Sequence, residues 1–205
     1  MEITWFGLSC FKLAERGMAT VVTDPYNHDQ TGYEPLKLSA DIVTVSHETP
    51  EHNYLEAIKG APYVVNGPGE YEVGGVFITG IQSGGQNTLY VFDFNTLTVA
   101  HLGDLSHVPT QSETEAIGTV NVALVPIGSG RMNAARAAEV ISLLEPNIVI
   151  PMQYATPGSD LPLDSLSKFL KEMGLSEVEK QPSLKITGAS LPEETKVIVL
   201  DHQRG

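Results

Sequence analysis

The sequence predicts a mixed α/β (α+β) fold in four layers, helix on sheet on sheet on helix, and three observations carry that prediction. The first half of the chain is a series of short β-branched and aromatic runs punctuated by turn residues. The second half contains two segments with helical periodicity. Around them stand strands apolar at nearly every position, and such strands need cover on both faces, which a second sheet inside and helices outside would supply. At 205 residues and 41% hydrophobic content the chain can bury one substantial core, so a single domain spanning 1–205 is expected.

The strand signals come in order as "ITWFG", "CFKLAE", "ATVVTD", "DIVTVS" and "PYVVN", then "EYEVGGVFITGI", "TLYVFDF" and "LTVAHL". Period-two alternation is clearest in "EYEVGGVFITG", where the glycine pair bends or turns a hairpin, and in "NTLYVFDFNTLTVAHL", which turns at Phe94-Asn95. Hairpins of this kind imply antiparallel sheet. Further along, "NAARAAEVISLLE" places Ala137, Val140, Ile141 and Leu144 on one helical stripe, and "PLDSLSKFLKEMG" repeats the pattern and stops at Gly174. "VNVALVPI", "NIVIPM", "SLKIT" and "KVIVL" read as further strands, and "ATPGSDLP" as a surface loop before the last long helix.

Composition excludes several classes of function. A formal charge of −13 repels a phosphate backbone over most of the surface, so nucleic acid is not an expected partner. Glu2 stands where a signal peptide would carry basic charge, and no apolar run approaches the roughly 20 residues that span a bilayer. The single cysteine, Cys10, has no intramolecular partner and suits a small buried side chain. A reducing, cytoplasmic setting without a membrane partner is the expectation; the oligomeric state is not legible.

One stretch poses a chemical question. In "VTVSHETPEHNY" a strand-like run stops at His47, and His52 follows five residues later with Glu48 and Glu51 between them. Together with "ITWFGLSCFKL", "VVTDPY", "GPGEYEVGGVFITGI", "AHLGDLSH", "ALVPIGSG" and "VIPMQYATP", in that order, it resembles the landmarks of the metallo-β-lactamase superfamily, and among its branches the small bacterial metal-dependent hydrolases related to ascorbate-phosphate lactonase. The resemblance runs from the first strand to about Pro157. It implies an αββα sandwich with a metal site on loops that follow strands at one edge of the two sheets.

In that superfamily the metal loop reads His-x-His-x-Asp-His, because a sharp loop after a strand can aim several imidazoles and a carboxylate into one small volume. Here the resemblance maps it onto His47, Thr49, Glu51 and His52, with two of four positions changed. The bridging carboxylate falls on Asp104; the histidine expected after "GVFITGI" has no counterpart, since "QSGGQN" follows directly; the last histidine is Gln153. One ion position thus keeps only His47 besides Asp104, and the other becomes Glu51, His52, Asp104 and Gln153. The implied cofactor is none, or one divalent cation (Zn, Mg or Mn) bound weakly, because Gln offers only a carbonyl and Glu is a methylene longer than Asp.

Two functions from different classes follow. One is a catalytically silent binding or scaffolding module with a degraded metal site; the other is a mononuclear metal-dependent hydrolase of an ester, lactone or phosphoester, with Asp104 holding the nucleophile and His107 as a substrate contact or proton carrier. His101 is expected to be a core or supporting residue, Asp24 a support for the metal loop or a turn cap, and His28 a solvated loop residue. "PIGSGRMNAA" precedes a helix and carries Arg131, so a small anionic molecule could dock there.

Overall fold

The computed structural model describes every residue except Glu177, Glu179 and Gly205. The first sheet opens with β1 (Glu2–Trp5), β2 (Phe11–Ala14), β3 (Val21–Thr23), β4 (Ile42–Thr44) and β5 (Tyr63–Val65), hydrogen-bonded in that order. β1 to β3 are antiparallel, whereas β3, β4 and β5 run parallel. The second sheet takes β6 (Gly69–Val73), β7 (Val76–Ser83), β8 (Asn87–Asp93), β9 (Thr98–His101), β10 (Val122–Pro126) and β11 (Ile148–Met152), antiparallel as far as β9 and parallel from there on. The end of the chain then extends both sheets. β12 (Leu184–Lys185) pairs with β1, and β13 (Lys196–Val197) pairs with β11.

The strand sequences explain this layering. Along β3 and β4, Val21 and Ile42 point into the core shared with the second sheet, while Val22 and Val43 pack in a separate cluster with Tyr26, Tyr33, Leu36, Leu38 and Ile58. Alternation therefore feeds two interfaces from one sheet. β10 and β11 are buried at every position, as the unbroken apolar runs require. α3 (Ala134–Leu144) buries Ala137, Val140, Ile141 and Leu144, the stripe expected from the sequence, and joins the same core. The four-layer α/β class is as expected, although the layer over the first sheet is thin: a single turn, α1 (His28–Thr31), a 3-10 turn at Leu55–Ala57, and loops.

Three elements differ from the sequence expectation. α2 (Gln111–Ile117) had not been anticipated, yet Thr110 and Glu113 close a reciprocal capping box, the Thr-x-x-Glu spacing that marks a helix start. α4 (Leu166–Glu172) begins four residues later than Pro162, because the Asp164 amide donates to the Gly128 carbonyl (2.9 Å) and its carbonyl accepts from Ala155 N (2.8 Å), holding 161–164 against the neighbouring loops. "KVIVL" is split between β13 and a short ribbon, Val199–Leu200 paired with Lys180–Gln181. The Gly74-Gly75 pair does turn the β6–β7 hairpin, with φ of 55° and 82°, and a Cβ on Gly74 would lie 2.6 Å from that of Ala19.

Ile150 sits on β11 beside Leu124 of β10 with no exposure. Truncation there leaves a cavity that two packed layers cannot close, so Ile150→Ala lowers the unfolding free energy by about 2–5 kcal/mol in urea titration. A loss under about 1 kcal/mol would mean this layer is loosely packed.

Candidate functional site

β3 and β4 are parallel with Thr23 opposite Thr44, so Asp24 and Ser46 leave the first sheet at the same edge. In the second sheet β9, β10 and β11 are also parallel, and Asp104, Ser129 with Arg131, and Gln153 follow their carboxyl ends. Carboxyl ends of parallel strands are where open α/β sheets present ligand sites. Five strand ends meet here around a cavity of about 280 Å³ lined by Leu8, His47, Glu51, His52, Asp104 and Gln153, with Thr49, Ser129, Arg131, Leu161 and Leu163 completing the wall.

The loop after β4 is folded by its own backbone. Thr49 N donates to the His47 carbonyl and His52 N to the Thr49 carbonyl, both at 2.9 Å, and these turns bring His52 back beside His47, ring centres 6.0 Å apart. Asn27 N to Pro50 O (2.8 Å) and Tyr54 N to Pro25 O (2.7 Å) dock the loop on the segment after β3. The second sheet holds its start, through Tyr90 Oη to Val45 O (2.8 Å) and Thr88 N to Ser46 O (2.9 Å). Asn87 fixes the turn carrying Asp104: its Nδ2 donates to Leu102 O (3.2 Å) and its Oδ1 accepts from Asp104 N (2.8 Å). Gly103 between them has φ 57°, and a Cβ would collide with Asn87 Oδ1 and Ser46 at 2.5 Å.

Beneath the cavity lies a buried polar cluster. The Asp24 carboxylate accepts from Ser46 N (2.7 Å), Ser46 Oγ (2.5 Å) and His52 Nδ1 (2.8 Å). Burial opposes its ionisation, yet its pKa lies below the ordinary carboxylate value. His101, 4.0 Å away, would be the largest favourable charge, but His101 is itself held neutral by burial: its Nε2 donates to Ser9 O (2.9 Å) and its Nδ1 accepts from Gly103 N (3.3 Å). The work therefore falls to His52 and Ser46. His52 is the reciprocal case, with burial lowering its pKa and the Asp24 charge and hydrogen bond, then Asp104 and Glu51, raising it above the ordinary value.

His47, Glu51, His52, Asp104 and Gln153, expected to converge, do line one cavity. His107 lies elsewhere, its Nε2 3.1 Å from Glu113 of α2. His101 is a core residue without exposure, His28 begins α1 beside Asp29, and Cys10 is buried with its thiol pKa pushed up by burial and by Asp24. The β7–β8 hairpin turns through residues 84–86 after Ser83 pairs with Asn87, and this short turn brings Gln86, not a histidine, to a cavity it shares with His47, Glu48 and Thr49. Leu8, Ser9, Ser46, Asn87, Leu161 and Leu163 went unnoticed in the sequence. Of these only Leu8 (φ 45°) carries backbone strain, a mark it shares with Asp24 (φ 42°) and Gln153 (φ 54°), all three being non-glycine residues in the left-handed region. Each such residue costs on the order of 1–3 kcal/mol and persists only where its surroundings enforce it.

A divalent metal is what the resemblance implies, and the donor set does not fit one. Among the described residues no three His, Cys, Asp or Glu side chains are grouped to hold an ion. Gln153 donates through Nε2 to Ser9 Oγ (2.7 Å) and to Gly103 O (3.4 Å), so its amide nitrogen is spent on the fold, and its amide oxygen is enclosed. That oxygen and His47 Nδ1 are both buried without a protein partner.

Linkage gives the pH behaviour its sign. The raised His52 contributes stability in full below its ordinary value of 6.5 and loses it as pH rises through its native pKa. The depressed Asp24 contributes above its ordinary 3.8 and loses as pH falls through its native pKa, and the neutral His101 likewise contributes above 6.5. In NMR titration the His52 ring is expected to titrate above 6.5 and that of His101 below it. Asp24→Asn then moves His52 below 6.5 and costs about 3 kcal/mol or more; a His52 midpoint unmoved by that change would remove Asp24 as its partner.

Comparison with known proteins agrees with this architecture. A family model described as a β-lactamase superfamily domain matches residues 2–153. A UPF0173 metal-dependent hydrolase of Pyrococcus horikoshii is 33% identical, with 76% of this chain and 85% of the relative covered. One from Methanopyrus kandleri is 27% identical, covering 85% and 94%. A crystal structure from Thermotoga maritima, of a protein assigned as a zinc-dependent hydrolase of the metallo-β-lactamase superfamily, superposes with a TM-score of 0.83 at 37% identity over 98% of both chains. Two of these three sources are archaeal, so the relatives do not single out the bacterial branch suggested by the sequence. The chain belongs to the β-lactamase superfamily, in the metallo-β-lactamase fold and beside the UPF0173 metal-dependent hydrolases.

Proposed function

We propose that this chain is a catalytically silent member of its superfamily, a binding module whose strand-end cavity takes a small molecule with an anionic group where its relatives' names imply a metal. The observation that supports the reading most is Gln153, which the resemblance maps onto a ligand imidazole and which is tied back by Ser9 and Gly103. The resemblance maps Thr49 onto a second such position, and the 84–86 turn, whose Gln86 lines a cavity with His47 and Thr49, carries no histidine for a third. At the rim, Ser129 and Arg131 stand just before the N-terminus of the 11-residue α3, where backbone dipoles and a guanidinium favour an anion. The charge of −13 argues against nucleic acid as that anion. No described helix is long and apolar enough to cross a membrane, which is in keeping with the cytoplasmic setting we infer.

A second reading, a mononuclear metal-dependent hydrolase with one divalent cation at Glu51, His52 and Asp104, is favoured by the support Asp24 gives His52 and by the names of the relatives. Elemental analysis separates the two. Protein purified without chelator should carry far less than one transition-metal ion per chain and show an unfolding midpoint insensitive to EDTA, whereas a stoichiometric ion establishes the second reading. The double change Thr49→His with Gln153→His should raise zinc affinity at least tenfold, which checks that both positions correspond to lost ligands.

A further inference from the structure

The link between the two sheets carries a reactive dipeptide. Asn66 and Gly67 stand between β5 and β6, and Asn66 is the one asparagine of the sequence followed by glycine. Asn66 is exposed, and among the described residues its side chain makes one hydrogen bond, at the outer limit of such contacts, Nδ2 to Glu48 Oε1 at 3.5 Å. The Gly67 amide donates to no acceptor among the described residues, and a Cβ built on Gly67 would meet nothing within 4 Å. The other asparagines are held back. Asn27 and Asn133 accept helix-cap bonds, Asn121 donates to Asn147, and Asn87 is buried with both amide atoms engaged. After Asn53 and Asn95 the following amides are already committed, Tyr54 N to Pro25 O (2.7 Å) and Thr96 N to Phe94 O (2.8 Å).

We infer that Asn66-Gly67 is a site of spontaneous deamidation, placed where its product loosens the loop that builds the candidate site. The step needs only hydroxide and water. The Gly67 nitrogen loses its proton to hydroxide and attacks Cγ of Asn66; the bond from Cγ to Nδ2 breaks, ammonia leaves after taking a proton from water, and a succinimide ring closes. One water then opens the ring at either carbonyl, giving aspartate or isoaspartate with no change of oxidation state. Glycine favours the closure because it puts no Cβ in the path and turns through backbone conformations closed to other residues. The neighbours on each side set the consequence. Val65 O, one residue before, accepts from Val45 N (2.9 Å) and Tyr90 Oη (3.2 Å), and Val45 leads into the loop of His47 and His52. Gly67 O, one residue after, accepts from Tyr71 Oη (3.1 Å) and lies where a Cβ on Gly80 would come within 2.5 Å. Isoaspartate inserts a methylene into the main chain between these two fixed carbonyls, and either product turns an amide beside Glu48 into a carboxylate. Glu48 lines a cavity with His47, Thr49 and Gln86. The chemistry is the same whether the strand-end cavity takes an anion or a metal.

Ageing the full chain for weeks in mildly alkaline buffer tests this. A glutamyl endopeptidase releases residues 57–70, and mass spectrometry with isoaspartyl methyltransferase labelling reads the conversion. Asn66 should convert about tenfold or more faster than any other asparagine, at a rate proportional to hydroxide and with both products present. Asn66→Gln should stay intact. Amide exchange over Val45–His52 should quicken about twofold in Asn66→Asp, from the like charge beside Glu48 alone, and further in aged wild-type protein, which adds the methylene. An Asn66 that keeps its amide, whether or not other asparagines convert, overturns the inference. Exchange over 45–52 that is equal in fresh and fully converted protein overturns the coupling to the site loop.

Discussion

A single buried carboxylate organises the functional edge of this molecule. Asp24 has no solvent exposure and accepts from Ser46 twice and from His52 once, so the end of β3, the start of the loop after β4 and the far side of that loop converge on one group. A buried charge tolerates no half-satisfied arrangement, because each lost partner leaves desolvation uncompensated. The loop is therefore fixed in shape even though it is irregular and its ends are polar. The left-handed backbone at Asp24 is the local cost of turning the carboxylate inward, and the three hydrogen bonds offset it.

The second sheet enters through Asn87 and Tyr90. Asn87 bonds both sides of the Gly103 turn, and Tyr90 reaches across the sandwich to the Val45 carbonyl, so the position of Asp104 relative to His52 is set by packing between sheets. Gly103 makes the approach possible, since any Cβ there would displace Ser46 or Asn87. The geometry of the cavity is thus a property of the sandwich, and it survives changes in the residues that face inward. The cavity walls are therefore held by Asn87, Tyr90 and Gly103 independently of whether Thr49 or Gln153 meets a ligand.

Much of this was legible in the sequence. Unbroken apolar runs gave β10 and β11, alternation gave the β6–β8 hairpins, and the order of seven motifs located His47, Glu51, His52, Asp104 and Gln153 on one wall. What escaped has physical reasons. Leu8, Leu161 and Leu163 read as ordinary apolar residues, because their role depends on which loops meet, a tertiary fact without a local pattern. His107 read as a pocket residue from its distance along the chain to Asp104, but the capped start of α2 turns Glu113 toward it. The Thr110-x-x-Glu113 spacing was available in the sequence and would have given that helix.

The strained residues sharpen the distinction between a relic and a working pocket. Gln153 has no chemical need for φ 54° if it merely fills space, and a glycine or asparagine would take that conformation more cheaply. Its side chain instead reaches Ser9 and Gly103, tying the segment after β11 to those that follow β1 and β9, and leaves one oxygen enclosed without a partner. Decay of a metal site would be expected to fill or collapse such a space, since unsatisfied buried polar atoms cost about 1–3 kcal/mol each. Here two remain, His47 Nδ1 and Gln153 Oε1, among walls held open by bonds that belong to the fold. That cost is borne by the same bonds through Asp24, Asn87 and Tyr90 that fix the loops, so the shape of the cavity is set by the sandwich and not by the groups that face into it.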